Sequence, residues 1–120
     1  MNRYIVVYHS PASAVEQMME STPEEQKEGM KVWMQWADKM GDALLDLGTP
    51  LTGGQRLSPD GVSVPVGDDT SGYSIIQAES MDAALRLLDG HPHLAWNKAC
   101  WIEVHEAMEL MLDGQDLTKL

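Results

Sequence analysis

Residues 3–9 (RYIVVYH) are apolar at odd and even positions alike and are closed off by Ser10-Pro11. A run this short, and this rich in β-branched and aromatic residues, predicts a strand, and a strand apolar on both sides of its pleat needs cover on both faces. That demand constrains the fold more than any other feature, because the remaining sequence offers few elements able to supply the cover.

The clearest of those elements opens at Thr22-Pro23-Glu24-Glu25, which joins an N-cap, a proline at the first helical position and the reciprocal glutamate of a capping box. Met30, Trp33, Met34, Ala37, Met40, Gly41, Leu44 and Leu47 follow at steps of mostly three and four. The pattern predicts one helix of about seven turns from Pro23 to near Leu47, capped by Gly48 and stopped by Pro50. On this stripe Trp33 is the better core candidate, with Trp36 beside it. Upstream, Ser13 and Glu16 have capping-box spacing and Val15, Met18 and Met19 form an apolar edge, which outlines a turn or two of helix.

Ser58-Pro59-Asp60-Gly61 predicts a β-hairpin between Gln55-Arg56-Leu57 and the alternating Val62, Val64 and Val66, with Pro65 confining the second strand to a sheet edge. Residues 67–72 read as a loop by composition and Tyr73–Glu79 as a strand. Ser80 caps a second helix carrying Met81, Ala84, Leu85 and Leu88, stopped by Asp89-Gly90-His91-Pro92. Trp101–Glu106 alternates, with Ile102 and Val104 on one side and Trp101, Glu103 and His105 on the other, and predicts the last strand. Beyond Met108 no period is visible, and the tail is expected to fray.

The order β, α, hairpin, β, α, β matches an α+β fold, the ferredoxin-like split βαβ sandwich with an extra hairpin. Its two helices cover one sheet face. Tyr4, Ile5, Val6, Val7, Tyr8, Tyr73, Ile75, Ile76 and Trp101 are apolar on both sides of the pleat, so a second face is left bare and a homodimer packed sheet against sheet is expected. The alternative is that the tail folds back over that face.

At 120 residues there is room for one core, read as a domain over residues 1–110 and a tail over 111–120. A net charge of −11 excludes non-specific binding to nucleic acid or anionic membrane and weighs against an anionic substrate. The lone Cys100 forms no internal disulfide, and no apolar run approaches the roughly 20 residues of a membrane span, so a cytoplasmic location is expected. There is no Phe, and nine Met stand in the composition. Met30, Met34, Met40 and Met81 are expected to fill the core where Phe otherwise would.

Several ordered blocks together carry a family resemblance: Ser10-Pro11 after the first strand, Thr22-Pro23-Glu24-Glu25 leading to Gly29-Met30 and Trp33-Met34-Gln35-Trp36, Asp46-Leu47-Gly48-Thr49-Pro50-Leu51, Gly72-Tyr73-Ser74-Ile75-Ile76, Ala83-Ala84-Leu85-Arg86-Leu87-Leu88, Gly90-His91-Pro92-His93-Leu94 and Ile102-Glu103-Val104. Over roughly residues 1–110 the chain resembles a bacterial YCII-related protein. The resemblance implies a dimeric α/β barrel, in which two ferredoxin-like sheets pack face to face. Members of that wider group are regarded as enzyme candidates on the strength of a histidine and an aspartate near a pocket. The chain departs from the pattern at residues 95–100, where proline and glycine would be expected, and again at residues 107–112.

Among chemistry-bearing residues, His91-Pro92-His93 stands out. Proline biases its predecessor toward extended backbone, where side chains two apart can point the same way, so the two imidazoles could converge on one ligand or proton. They are the candidate catalytic pair, with Asp46, at the predicted end of the long helix, as a carboxylate partner; Asp89 has a similar place after the second helix. Tyr73, Trp101, Glu103 and His105 are the candidate ligand contacts. His91, His93, Glu103 and His105 also have ligand types suited to zinc or iron. A helix stop and ordinary strand positions account for the same four residues, so no metal is assigned. No cofactor motif is present, and Ser10, Ser58 and Cys100 lie in no nucleophile motif. The expected function is binding of a small molecule in the barrel cleft, with histidine-dependent proton transfer as the chemistry; the alternative is a non-catalytic dimeric interaction or assembly module.

Overall fold

The computed structural model describes residues 1–66 and 69–119, without the side chains of residues 13–15 and 119. Strand β1 (Asn2–His9) lies inside an antiparallel four-stranded sheet, between β5 (Thr70–Ala78) and β6 (Trp101–Ala107), and β2 (Leu44–Asp46) flanks β5 at the edge. The order β2-β5-β1-β6 places the first strand beside the last and beside the third of the sheet, which is the ferredoxin-like arrangement expected from the element order.

The two helices that pack the core lie on one face. Tyr4, Val6 and Tyr8 of β1 and Ile76 and Ala78 of β5 are buried against Trp36 and Met40 of α2 (Pro23–Met40), and against Ala84 of α3 (Met81–Leu87) and Leu88 just beyond it. Register sets the opposite face: Ile5 pairs with Ile75 and His105, Val7 with Tyr73 and Glu103, and His9 with Trp101. Paired residues share a side of the pleat, so these eight side chains form one surface on the side opposite α2 and α3.

Both strong helix starts hold. Thr22 and Glu25 form the reciprocal capping box of α2, and Ser80 accepts the Ala83 N–H at the start of α3. The short helix α1 spans Ala12–Met19 and has no side-chain cap at its Pro11 end; the capping residue expected from sequence, Ser13, has no described side chain. The hairpin forms as expected from β3 (Gln55–Leu57) and β4 (Ser63–Pro65), a two-stranded ribbon of its own. Of the expected 67–72 loop, residues 67 and 68 lie outside the described residues, and Thr70–Gly72 already belong to β5.

The end of the long helix requires correction. Helix α2 stops at Met40, where Gly41 adopts φ 54°, and after one 3-10 turn over Gly41–Ala43 the chain becomes strand β2. Leu44 and Leu47 satisfy a helical stripe, yet the backbone groups of Leu44 and Asp46 pair with Ile76 and Ile75, and the sheet edge wins over local periodicity. Gly48 is instead the point where the chain passes under β5. At φ 77°, with room for a Cβ only 1.7 Å from the Tyr73 carbonyl oxygen, it admits no side chain.

The core assignments shift as well. Trp36 is 7% exposed and Trp33 only partly buried, while Met30 and Met34 are 63% and 47% exposed and Met81 is exposed too. The contact face of α2 centres on Trp36 and Met40, near its C-terminal end. Of the four methionines expected to fill the core, Met40 alone does so. The tail is ordered into a small hairpin of β7 (Met111–Leu112) and β8 (Gln115–Asp116), with Leu117 N–H bonding back to the Leu110 carbonyl. The Cα radius of gyration is 16.6 Å. A closed domain of this length would have about 14 Å, so the two ribbons project from the sheet sandwich as arms. No described helix is long and apolar enough to cross a membrane.

Candidate functional site

His91 and His93 sit on the helix side of the sheet, and both are buried. His91 has the extended backbone expected before proline, φ −56° and ψ 141°, but Pro92–Trp96 then turn into helix α4, so the two rings do not lie side by side on an extended strand. Their roles are divided. The His93 backbone N–H donates to His91 Nδ1 at 2.9 Å, which leaves the proton of a neutral His91 ring on Nε2. That nitrogen stands 3.3 Å from the Tyr8 hydroxyl, which donates to Ser74 Oγ at 2.8 Å, and Ser74 in turn donates to the Leu47 carbonyl at 2.6 Å. The chain of donors is closed within the protein. Burial pushes the His91 imidazole down to about 3, with the neighbouring His93 adding to the shift, and the Tyr8 phenol is pushed up to about 12 by burial against the opposing bond to Ser74. Both groups are neutral fixtures, boxed in by Trp33 and Trp36, whose rings meet His91 edge-on at 4.7 and 4.3 Å.

His93 turns the other way. Its Nε2 donates to the carbonyl of His9 at 2.9 Å, and burial lowers its imidazole against backbone hydrogen bonds to His9 and Trp101 that pull it up. The motif read as a catalytic pair therefore supports the end of β1 from beneath.

What it supports is His9, a residue the sequence reading passed over. His9 closes β1 at a register shift, where pairing with β5 jumps from Tyr8–Gly72 to His9–Thr70 and leaves Ser71 as the extra residue. Ser71 Oγ donates to the Tyr8 carbonyl at 3.1 Å, and the Ser10 N–H donates to the Asp69 carbonyl at 2.8 Å, which fixes Asp69 beside the bulge. The Asp69 carboxylate then lies 2.9 Å from His9 Nδ1. On the other side of the ring, His9 Nε2 is buried and has no hydrogen-bond partner among the described residues, and Glu103 Oε1 is 3.9 Å away, beyond hydrogen-bonding distance. Trp101 stacks flat on the imidazole with centroids 3.8 Å apart and planes 4° from parallel.

Three of the four expected ligand contacts join this group. Trp101 covers His9, Glu103 faces its free nitrogen, and His105 Nε2 lies 2.7 Å from Glu103 Oε2. The line Asp69, His9, Glu103, His105 thus runs from the bulge along β6 toward solvent, where the His105 side chain is 62% exposed. Tyr73 shares the same sheet face but points its hydroxyl toward Asp46, 3.5 Å away. Asp46 is in β2, not at a helix end; it accepts the Gly48 N–H at 2.8 Å and stands apart from every histidine contact described above. Asp89 is exposed after α3. The set His91, His93, Glu103 and His105 is split between the two faces of the sheet, and the described residues contain no cluster of three or more His, Cys, Asp or Glu able to hold a metal ion. Burial pushes the Cys100 thiol up, which favours its protonated form.

The signal for His9 was present in the sequence. In RYIVVYH, Ile5, Val7 and His9 alternate, so a polar residue ends the strand on the face that helices cannot cover. Asp69 carried no such signal, because only the bulge brings it there.

Strand order, helices on one face and an open opposite face define a ferredoxin-like α+β protein with its polar cluster on the uncovered sheet. No family model matches the chain, and no curated protein matches it. Among solved structures it is similar to 5-chloro-2-hydroxyhydroquinone dehydrochlorinase (TftG) from Burkholderia phenoliruptrix AC1100, in complex with 2,5-dihydroxybenzoquinone, at 17% identity and a TM-score of 0.49 over 86% of this chain and 91% of that one.

Proposed function

We propose that the chain is a small-molecule-binding protein of the YCII-related type, that two copies pair open face to open face, and that His9 is its acid–base group. The observation that carries this reading is the imbalance at His9, with Nδ1 held by Asp69 and a buried Nε2 that has no partner among the described residues. A histidine buried only for packing would have both nitrogens satisfied. A carboxylate accepts at Nδ1, so in the neutral ring the proton sits there and Nε2 carries the basic lone pair. Asp69 orients the ring and stabilises the imidazolium that forms when Nε2 takes a proton. Glu103 and His105 extend from that nitrogen toward solvent and give the proton a way out.

The ligand chemistry follows from the surroundings. Two carboxylates beside His9 disfavour an anion, while Ile5, Val7, Tyr73 and Ile75 offer an apolar surface. A neutral or cationic molecule with a removable proton fits, in chemistry of the isomerase, lyase or hydrolase kind, with no cofactor required for the proton transfer itself.

One observation favours the second reading, a non-catalytic dimeric module: in the single chain His9 Nε2 is shielded from solvent. Native mass spectrometry of wild type and His9→Gln separates the two. The proposal expects a mass of two chains with a retained small molecule in wild type, and the same paired mass without that molecule in the variant. Pairing with no molecule lost on substitution supports the module, and a single-chain mass overturns the paired arrangement.

A further inference from the structure

The helix side of the molecule carries a separate concavity, on the opposite side of the sheet from His9. A groove of about 320 Å³ lies between α2 and the end of α3, lined by Trp36, Met40 and Leu87 together with Lys39, Arg86 and Asp89. Its volume is at the lower end of the range for small-molecule sites.

Three features of the residues lining this groove bear on what it could hold. The Trp36 side chain is buried, yet its indole Nε1–H has no hydrogen-bond partner among the described residues. Such an orphaned donor is uncommon in a native interior and asks for an acceptor. Lys39 and Arg86 are both exposed, and the only ion pairs among the described residues involve histidines, so neither cation is neutralised by a carboxylate. In a chain of net charge −11, two free cations against the single carboxylate of Asp89 make the groove locally positive.

We propose that this groove binds a small organic carboxylate with an apolar body. One carboxylate oxygen accepts from the Trp36 indole N–H, Lys39 and Arg86 balance the charge, and Met40 and Leu87 contact the body. Reaching the indole takes a displacement of a flexible neighbour such as Lys39 or Met40, which long unbranched side chains permit at little cost. Asp89 opposes the anion and favours one with a single charge over a dianion. The site shares no residue with the His9 cluster, so the two stand or fall independently.

The test follows the four indole N–H resonances of the full chain by ¹⁵N–¹H spectroscopy during titration with phenylacetate and with phenylacetamide, its uncharged analogue. The Trp36 resonance is assigned by Trp36→Phe or, should that variant not fold, by elimination with Trp33→Phe, Trp96→Phe and Trp101→Phe. Phenylacetate is expected to move the Trp36 resonance downfield while Trp101 stays in place. The amide is expected to bind about tenfold more weakly or worse, and Lys39→Gln with Arg86→Gln to weaken phenylacetate by a similar factor. A Trp36 resonance that stays fixed up to about 10 mM phenylacetate, a range that still detects millimolar binding, overturns the proposal. Equal binding of the amide, or no loss in the double variant, overturns it as well.

Discussion

His93 Nε2 donates to the main-chain carbonyl of His9 across 84 residues of sequence, at 2.9 Å. A side chain from the most conspicuous motif in the chain thus holds the backbone of the residue that faces the open sheet. The two histidines do different work: one is a buried, uncharged support, and the other, held by Asp69 at Nδ1, has a buried Nε2 without a hydrogen-bond partner among the described residues.

Acid stability follows from the support. The folded-state value of His91 is pushed from 6.5 down to about 3, so above pH 6.5 the ring is neutral in folded and unfolded chains and its contribution is present in full. Below pH 6.5 the unfolded chain takes up a proton that the folded chain refuses, and stability falls by up to about 1.4 kcal/mol per pH unit until the folded value is passed. His93 is shifted in the same direction and adds to the loss. Urea midpoints measured between pH 7 and pH 4.5 should therefore decline steeply, and His91→Phe should show a shallower decline from a lower starting midpoint.

The His9–Asp69 bond has a signature that needs no substrate. A proton held between Nδ1 and a carboxylate at 2.9 Å, on a buried ring, should exchange slowly and resonate far downfield in the proton spectrum. Asp69→Asn should abolish that resonance while shifting the unfolding midpoint little, since Asp69 is partly exposed. For whichever ligand is retained and turned over, the same substitution should lower the rate by about 10²-fold or more.

The donor chain through Ser74 gives a prediction on coupling. Ser74→Ala strands the Tyr8 hydroxyl and the Leu47 carbonyl and should cost about 1–3 kcal/mol. Tyr8→Phe removes the acceptor of His91 Nε2–H and should cost a similar amount. The double variant should cost less than the sum of the two, because the two substitutions share one network; denaturant unfolding of all four proteins measures the difference.

Gly48 should tolerate no side chain. A Cβ there would lie 1.7 Å from the Tyr73 carbonyl oxygen, and the residue already has a positive φ. Gly48→Ala should destabilise by about 3 kcal/mol or more and detach β2 from β5, seen as loss of amide protection at Leu44 and Asp46 in hydrogen exchange.

Pairing through the open face predicts that Ile5→Glu, which puts a charge at the centre of that surface, leaves the fold intact and gives a single-chain mass by light scattering. Unchanged mass would place any association elsewhere.

Legibility varied with the range of the interactions involved. Thr22-Pro23-Glu24-Glu25, Ser80 and Ser58-Pro59-Asp60-Gly61 form their caps and turn from neighbours in sequence, and each is where the pattern put it. The end of α2 was misjudged because Leu44 and Leu47 fit a helix as well as a strand, and only pairing with β5 decides between them. The choice of Trp36 over Trp33 depends on which side of α2 meets the buried face of the sheet, which the helical period alone does not fix.

The site divides along the same line. Alternation in β6 placed Trp101, Glu103 and His105 together on the uncovered face, and alternation in β1 would have added His9 to them. Sequence by itself determined strands β1, β3, β4, β5 and β6, which side chains share a side, and that two helices cannot cover a sheet apolar on both faces, since these depend on period and count; β2, β7 and β8 were not among them. Only the tertiary structure decided that His91 and His93 are buried supports and that Asp69 meets His9. Those outcomes depend on a one-residue bulge and on contacts between segments 60 or more residues apart, which no local pattern encodes.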